Sequence, residues 1–390
     1  MDRVISKVGA MALVVACGCG RWGFDASRLA VDGGDAPLDS ALDAGCQRTG
    51  FTAAASPVTG SGPGALAVGD LDQDGHLDVV TANYLGTSVS VLRGLGDGTF
   101  APKVDAPANS NLSSVVIADV TGDGKLDVIV VGGAATMSMF PGNGAGSLLA
   151  RMDFVTGAFP DAVAVGNLNG DGALDVVAAN HNDSTVSVFL GLGLGAFSAR
   201  VDYATGGAPH SIGILDLDGD GAEDVVTANE TGTVSVLRGG PVGALLPATG
   251  FPAGSNTFAV ASADVDANGR PDLVVANYGG NTVSVLLDRG GGLFAPKVDY
   301  ATGLNPAAVA IGDVTGDGRP DLVVADRLGN AVSVLAGNGD GTFAAKVDVP
   351  VGMGPLFVAI ADLDGDGLGD VITANYDAST ATVLMGTCLP

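Results

Sequence analysis

This chain is short of positive charge. Of its 390 residues only 17 are Lys or Arg, against 43 Asp or Glu, a formal net charge of −26. Without a basic footprint there is nothing to neutralise a phosphate backbone, so nucleic acid is excluded as a partner. There is one Trp and there are five Tyr. Only three histidines occur: His76, His181 and His210. G-x-S-x-G, H-E-x-x-H, P-loop and dinucleotide-binding patterns are all missing, so no enzyme is expected.

What is present is glycine, 62 residues of it, in a chain that is 47% hydrophobic and only 15% charged. A disordered acidic chain would be poorer in apolar residues. The acid must therefore be concentrated locally, and the glycine suits tight turns between short apolar strands.

The start reads as a targeting segment. Arg3 and Lys7 precede the apolar run Val8 to Ala16, which is too short to span a bilayer as a helix. It ends in Val14-Val15-Ala16-Cys17, which resembles the lipobox of bacterial lipoproteins. The resemblance implies that residues 1–16 are removed and that Cys17 carries the lipid. The alternative is an ordinary signal peptide cut nearby. An acylated Cys17 would attach the protein to a membrane, and Gly18 after it favours the outer membrane or cell surface of a bacterial envelope. Residues 17–45 are rich in Asp, Ala and Gly without a sustained apolar period and read as a tether.

Residues 46–390 are organised by one repeat. The stretch GDLDQDGHLD at 69–78 recurs through the chain, for example as GDVTGDGRPD from Gly312 and ADLDGDGLGD from Ala361. The first acidic or amide position of each copy is Asp70, Asp119, Asn167, Asp216, Asp264, Asp313 and Asp362, always 48 or 49 residues apart. Within a unit, ALAVGDL (65–71), DVVTAN (78–83), TSVSVLRG (87–94) and FAPKVDAP (100–107) are short, Val-rich and separated by turn residues. They predict four antiparallel strands, and seven such units predict an all-β, seven-bladed β-propeller rather than an open solenoid. The chain ends support closure. The last unit stops after its third strand, and the missing fourth appears before unit one as FTAAASPVTG from Phe51. Superposing the units puts Cys46 and Cys388 in one turn of that composite blade, so a Cys46–Cys388 disulfide is expected, in an oxidising compartment.

The acidic loops follow D-x-[DNT]-x-[DN]-G-x-x-D, with Asn once at the first position. Side chains at positions 1, 3, 5 and 9, with a carbonyl near position 7, can converge into an oxygen cage of the kind Ca²⁺ takes. The candidate ligands in loop one are Asp70, Asp72, Asp74, His76 and Asp78; in loop two Asp119, Thr121, Asp123, Lys125 and Asp127. Loop three offers Asn167, Asn169, Asp171, Ala173 and Asp175, and should bind weakest. Loop four offers Asp216, Asp218, Asp220, Ala222 and Asp224; loop five Asp264, Asp266, Asn268, Arg270 and Asp272. Loop six has Asp313, Thr315, Asp317, Arg319 and Asp321, and loop seven Asp362, Asp364, Asp366, Leu368 and Asp370. An empty loop of crowded carboxylates would suffer repulsion without compensation. Up to seven Ca²⁺ would take the charge of −26 to about −12. Paired carboxylates also serve glycoside hydrolysis, but carboxylates holding a metal are poor acids and bases.

With its acidic loops and its GDGTF links (Gly96 to Phe100, Gly339 to Phe343), the chain resembles FG-GAP/VCBS repeat proteins, relatives of the integrin α-subunit propeller. Units three to five depart from the link pattern. The resemblance implies a propeller braced by calcium on one face and a role in adhesion or recognition.

Strand order puts loops 1–2 on one face and turns 2–3 and 4–1 on the other. The second face is expected to carry Tyr84, His181, Tyr278 and Tyr376 from the 2–3 turns, and Phe159, His210, Phe258 and Phe357 from the 4–1 turns. Aromatics in variable loops suit contact with a protein or glycan, or else pack beneath the loops. A purely structural envelope scaffold is the other reading of the whole chain, and a hydrolase or lyase with a site on that second face is a further one.

Overall fold

The computed structural model describes residues 49–133 and 135–388. They form seven four-stranded antiparallel sheets. In blade one the strands run from the axis outward as Pro63–Gly69, Asp78–Asn83, Ser88–Leu92 and Val104–Pro107. Each inner strand packs on the next, and that of blade one packs on that of blade seven, which closes the ring. The one helical element among the described residues is a 3₁₀ turn at Pro241–Gly243.

Closure uses both chain ends. Thr49–Ala55 is the outermost strand of blade seven and pairs with Thr380–Cys388. Phe51 lies opposite Gly386, as Phe100 lies opposite Gly94 in blade one. Elsewhere the fourth strand is shorter than the sequence predicts: Phe100 makes a single bridge and the ladder resumes only at Val104. In blade seven the ladder is nearly continuous, Thr49 opposite Cys388. The expected partner of Cys388, Cys46, lies outside the described residues, as do Cys17 and residues 17–45.

The Val-rich strands pack face to face between neighbouring blades. Val79, Val80, Val89 and Leu92 of blade one are buried with Val115, Ile117 and Val128 of blade two. Inside this apolar layer runs a polar relay that repeats. In blade one Asn83 Nδ2 donates to Ser90 Oγ (2.9 Å), and Ser90 donates to Asp105 (2.6 Å) on the outer strand. Asn180–Ser187–Asp202 and Asn277–Ser284–Asp299 repeat it. A buried amide must find partners, and here the third strand supplies them. Blade six breaks the pattern. Asp326 stands where Asn is usual, so the single Ser333 hydroxyl faces two carboxylates, Asp326 (2.6 Å) and Asp348 (2.9 Å). Burial pushes the Asp326 carboxyl up to about 6.

Candidate functional site: two faces of one ring

The acidic loops join strands one and two, and seven of them share one face. The Asp at position 9 opens the second strand and is fully buried in every blade. One carboxylate oxygen accepts the backbone N–H of the residue seven before it: Leu71, Val120, Leu168, Leu217, Val265, Val314 or Leu363, at 2.7–3.0 Å. The other accepts an N–H from the start of the 3–4 link: Gly94, Gly142, Gly191, Gly239, Asp288, Gly337 or Gly386, at 2.6–2.9 Å. This carboxylate is thus a bracket between two loops. Burial pushes Asp78, Asp272 and Asp370 up to about 6, against the pull of those same amides and with the neighbouring aspartates adding to the rise.

Position 1 collects amides from across the turn. Asp119 accepts from Gly122, Asp123 and Gly124 at 2.7–3.1 Å, and Asp313 does the same with Gly316, Asp317 and Gly318 at 2.7–3.2 Å. Position 5 accepts the N–H of position 7, as Asp74 does from His76 and Asp220 from Ala222, both at 2.8 Å. This leaves the carbonyl of position 7 uncommitted by that bond. The loop's own amides therefore offset part of the repulsion that the sequence alone leaves uncompensated.

The turn needs two left-handed residues. Position 6 is Gly throughout, and position 4 is also left-handed: Gly122, Gly170, Gly219, Gly316 and Gly365, but Gln73 (φ 61°) and Ala267 (φ 60°). A side chain in that region is strained.

The loops are unequal as metal sites. In loops one, four and five the carboxylates at positions 1, 3 and 9 each offer an oxygen within 4.8 Å of the others: Asp70, Asp72 and Asp78; Asp216, Asp218 and Asp224; Asp264, Asp266 and Asp272. Loop seven brings Asp362, Asp364 and Asp366 together in the same way. Loops two and six have Thr at position 3, and their position 7 cation binds the position 5 acid: Lys125 to Asp123 (3.2 Å), Arg319 to Asp317 (2.6 Å). Burial pushes the Asp317 carboxyl up, but the bonds from Arg319 outweigh it and hold the group below its usual range. Loop three is again different: Glu223 of the next loop bonds Asn167 N (2.5 Å) and Asn169 Nδ2 turns to Asp171 (2.9 Å). Three buried oxygens at ligand positions have no hydrogen-bond partner: Asp72 Oδ1, Asn167 Oδ1 and Thr315 Oγ1. An all-oxygen donor set with unpartnered buried oxygens fits a hard cation such as Ca²⁺.

The opposite face is built differently. A bulge at the start of every inner strand re-aims its second residue. Those positions are Gly64, Ser113, Asp161, His210, Phe258, Ala307 and Leu356; the residues just after strand two are Tyr84, Gly133, His181, Glu230, Tyr278, Arg327 and Tyr376. Their side chains link into an arc. Phe159 meets His181 edge-on, His181 lies 4.6 Å from His210, His210 stacks on Phe258 at 4.5 Å, and Phe258 lies 5.3 Å from Tyr278. Arg327 carries it on: its Nη1 is 3.4 Å from the Tyr278 hydroxyl, its guanidinium sits over Tyr376, and Tyr376 neighbours Tyr84 at 6.0 Å.

A family model for the FG-GAP-like repeat matches residues 70–130, 120–178, 167–227, 216–275, 264–324 and 313–373. Each match runs from one acidic loop into the next, so seven loops give six overlapping matches. The chain belongs to the FG-GAP repeat family. No curated protein matches it. Among solved structures it is similar to BBS1N, crystallised in complex with ARL6DN, at 13% identity and a TM-score of 0.62, over 86% of this chain and 96% of that one. The WD40 β-propeller domain of Doa1 gives 12% and 0.59, over 86% and 97%. An Agrocybe aegerita lectin that recognises non-reducing terminal N-acetylglucosamine gives 19% and 0.50, over 77% and 80%. At these identities the likeness is one of fold.

Within the FG-GAP frame, Tyr84, Phe159, His181, His210, Phe258, Tyr278 and Tyr376 are all half-buried on the expected face. His210 and Phe258 sit in the first residues of inner strands rather than in turns. Phe357 does not belong with them. It is wholly buried in the inner strand of blade seven, opposite Ala374. It aligns one residue past Phe258, and in a strand one residue changes the face; Leu356 takes its place. Asp161, Glu230 and Arg327 escaped sequence reasoning, which looked for aromatics; each sits one or more whole repeats from a residue it touches.

Proposed function

We propose that this FG-GAP propeller is a calcium-stabilised, lipid-anchored module of a bacterial envelope, outer membrane or cell surface, that binds a protein or glycan without catalysis. The observation that carries the reading is the half-buried arc from Phe159 to Tyr84 on the face away from the acidic loops. Flat rings interleaved with a cation and carboxylates present both apolar area and hydrogen-bonding groups, as recognition surfaces do. Propellers of this fold include one crystallised with a protein partner and one that recognises a sugar.

Calcium, when bound, supplies cross-linking charge and no chemistry of turnover. Loops one, four, five and seven, which bring three carboxylates together, take it first; loops two, three and six follow. The amides already gathered by positions 1, 5 and 9 hold the carboxylates in place for the ion.

Glycan and surface-protein arrays probed with the full chain test the binding reading. A hit should vanish when Tyr84, Tyr278 and Tyr376 are changed together to Ala, while Asp218→Ala leaves it in place under excess calcium. A hit that survives the triple change would overturn this face as the binding face, and a chain with no hit on either array would favour a structural envelope scaffold.

A further inference from the structure

On the arc, blades three and four bring four ionisable groups together in two layers. Asp161 and His210 occupy the same inner-strand position one repeat apart, and His181 and Glu230 the same post-strand position one repeat apart. His181 Nε2 lies 3.4 Å from Glu230 Oε2, and His210 Nε2 lies 4.0 Å from the same oxygen. One donor atom from each of the three falls within 4.8 Å of the others.

The far sides of both imidazoles are occupied. His210 Nδ1 bonds Asp161 Oδ2 at 2.6 Å, and His181 Nδ1 bonds Asn182 Oδ1 at 3.0 Å. Both partners offer acceptor oxygens, so each Nδ1 donates, and in the neutral ring this leaves the Nε2 lone pair directed toward Glu230. Two lone pairs and a carboxylate facing one another repel unless a positive centre, a metal ion or a proton on Nε2, lies among them. Tetrahedral ligands about 2.0–2.1 Å from a metal are about 3.3 Å apart; the His181–Glu230 distance of 3.4 Å matches this, and the His210–Glu230 distance of 4.0 Å must close by a small side-chain shift. A carboxylate behind a ligating histidine is the usual means of fixing its tautomer and raising its basicity.

The backbone next to these groups is strained. The residue before each inner strand is left-handed in all blades and is Gly or Asn in five of them; the exceptions are Phe159 and Ala208, both at φ 54°. Phe159 O accepts from His181 N (3.0 Å) and Ala208 O from Glu230 N (2.9 Å). The two rings are further fixed between Phe159 and Phe258. A shallow depression lined by His181, Asn182, Ser184, Ala208, Glu230 and Thr231 opens the His181–Glu230 side of the cluster to solvent.

We propose that His181, His210 and Glu230 form a site for a divalent first-row transition metal of the Zn²⁺ class, with Asp161 and Asn182 as positioning residues and a coordination position open to solvent. Two imidazole nitrogens and one carboxylate suit Zn²⁺ or Co²⁺ and not Ca²⁺, which takes oxygen ligands. The site is chemically distinct from the acidic loops and stands whether or not those loops hold calcium or the face binds a macromolecule.

The test is a titration of the full chain with Co²⁺ in excess calcium, read by visible absorption and calorimetry. The expected result is one saturable Co²⁺ with the intense visible bands of a low-coordinate nitrogen–oxygen site, erased by added Zn²⁺. His181→Ala and His210→Ala should each abolish the bands, and Asp161→Asn should weaken binding about 10–100-fold with the bands retained. A wild-type chain that shows no such bands would overturn the proposal without any variant. Bands that persist in the His181→Ala, His210→Ala double variant would overturn it equally, by placing the ion elsewhere.

Discussion

The two faces of this propeller follow opposite rules. On the acidic face the position 9 carboxylate accepts the same two amides in every blade, whatever the residues above it. On the other face equivalent positions hold Gly, Ser, Asp, His, Phe, Ala and Leu in turn. Both faces hang from the same strands, so the fold does not demand the variety. Where all copies agree, the residue is solving a problem each blade has; where they differ, it is solving a problem of the whole ring.

The largest break in that comparison is Asp272→Ala. It leaves two buried N–H groups, those of Val265 and Asp288, without an acceptor and should cost about 3 kcal/mol in urea denaturation without calcium, and more in excess calcium, where a ligand is lost as well. Glu230→Ala on the varied face removes a side chain that is 47% exposed and should move stability by under about 0.5 kcal/mol. Equal losses at the two positions would erase the distinction between the faces.

Blade six allows a subtler test. Asp326 has a folded pKa of about 6, above its ordinary value of 3.8. Its contribution to stability is therefore full at low pH and is lost as pH rises through about 6. Asp326→Asn restores the amide relay of the other blades and should gain about 1–2 kcal/mol at pH 7.5, a gain that shrinks as pH falls below 6. Denaturation of both chains across pH 5 to 8 checks the sign.

A smaller gain is expected from Ala267→Gly, about 1 kcal/mol of added stability in thermal or urea unfolding. Gly122, Gly170, Gly219 and Gly365 at the corresponding position have open space where a Cβ would lie, so the gain comes from the left-handed backbone alone.

Much of this was legible in the sequence because a repeat compares a chain with itself. The period placed the strands, and the unpaired last unit placed Thr49–Ala55 on the outside of blade seven. What escaped was whatever depends on a single-residue offset or a contact between units. The bulge that buries Phe357 and leaves Leu356 half-buried on the varied face leaves no mark in a Val- and Ala-rich run. The second left-handed position was hidden by Gln73 and Ala267, and the position 9 bracket needs the partner loop, 15 or 16 residues on, to be seen. Asp161 and Glu230 became visible only beside His210 and His181, one repeat away.

The most direct test of the account is the melting temperature of the full chain in excess calcium and in EGTA. Chelation should lower it, because an ion bound only to the folded state stabilises that state. Asp72→Ala, Asp218→Ala, Asp266→Ala and Asp364→Ala, added in turn, should shrink the difference stepwise. A wild-type melting temperature that is the same in both solutions would contradict calcium as the brace of the acidic face and leave the amide-bound carboxylates as its sole support.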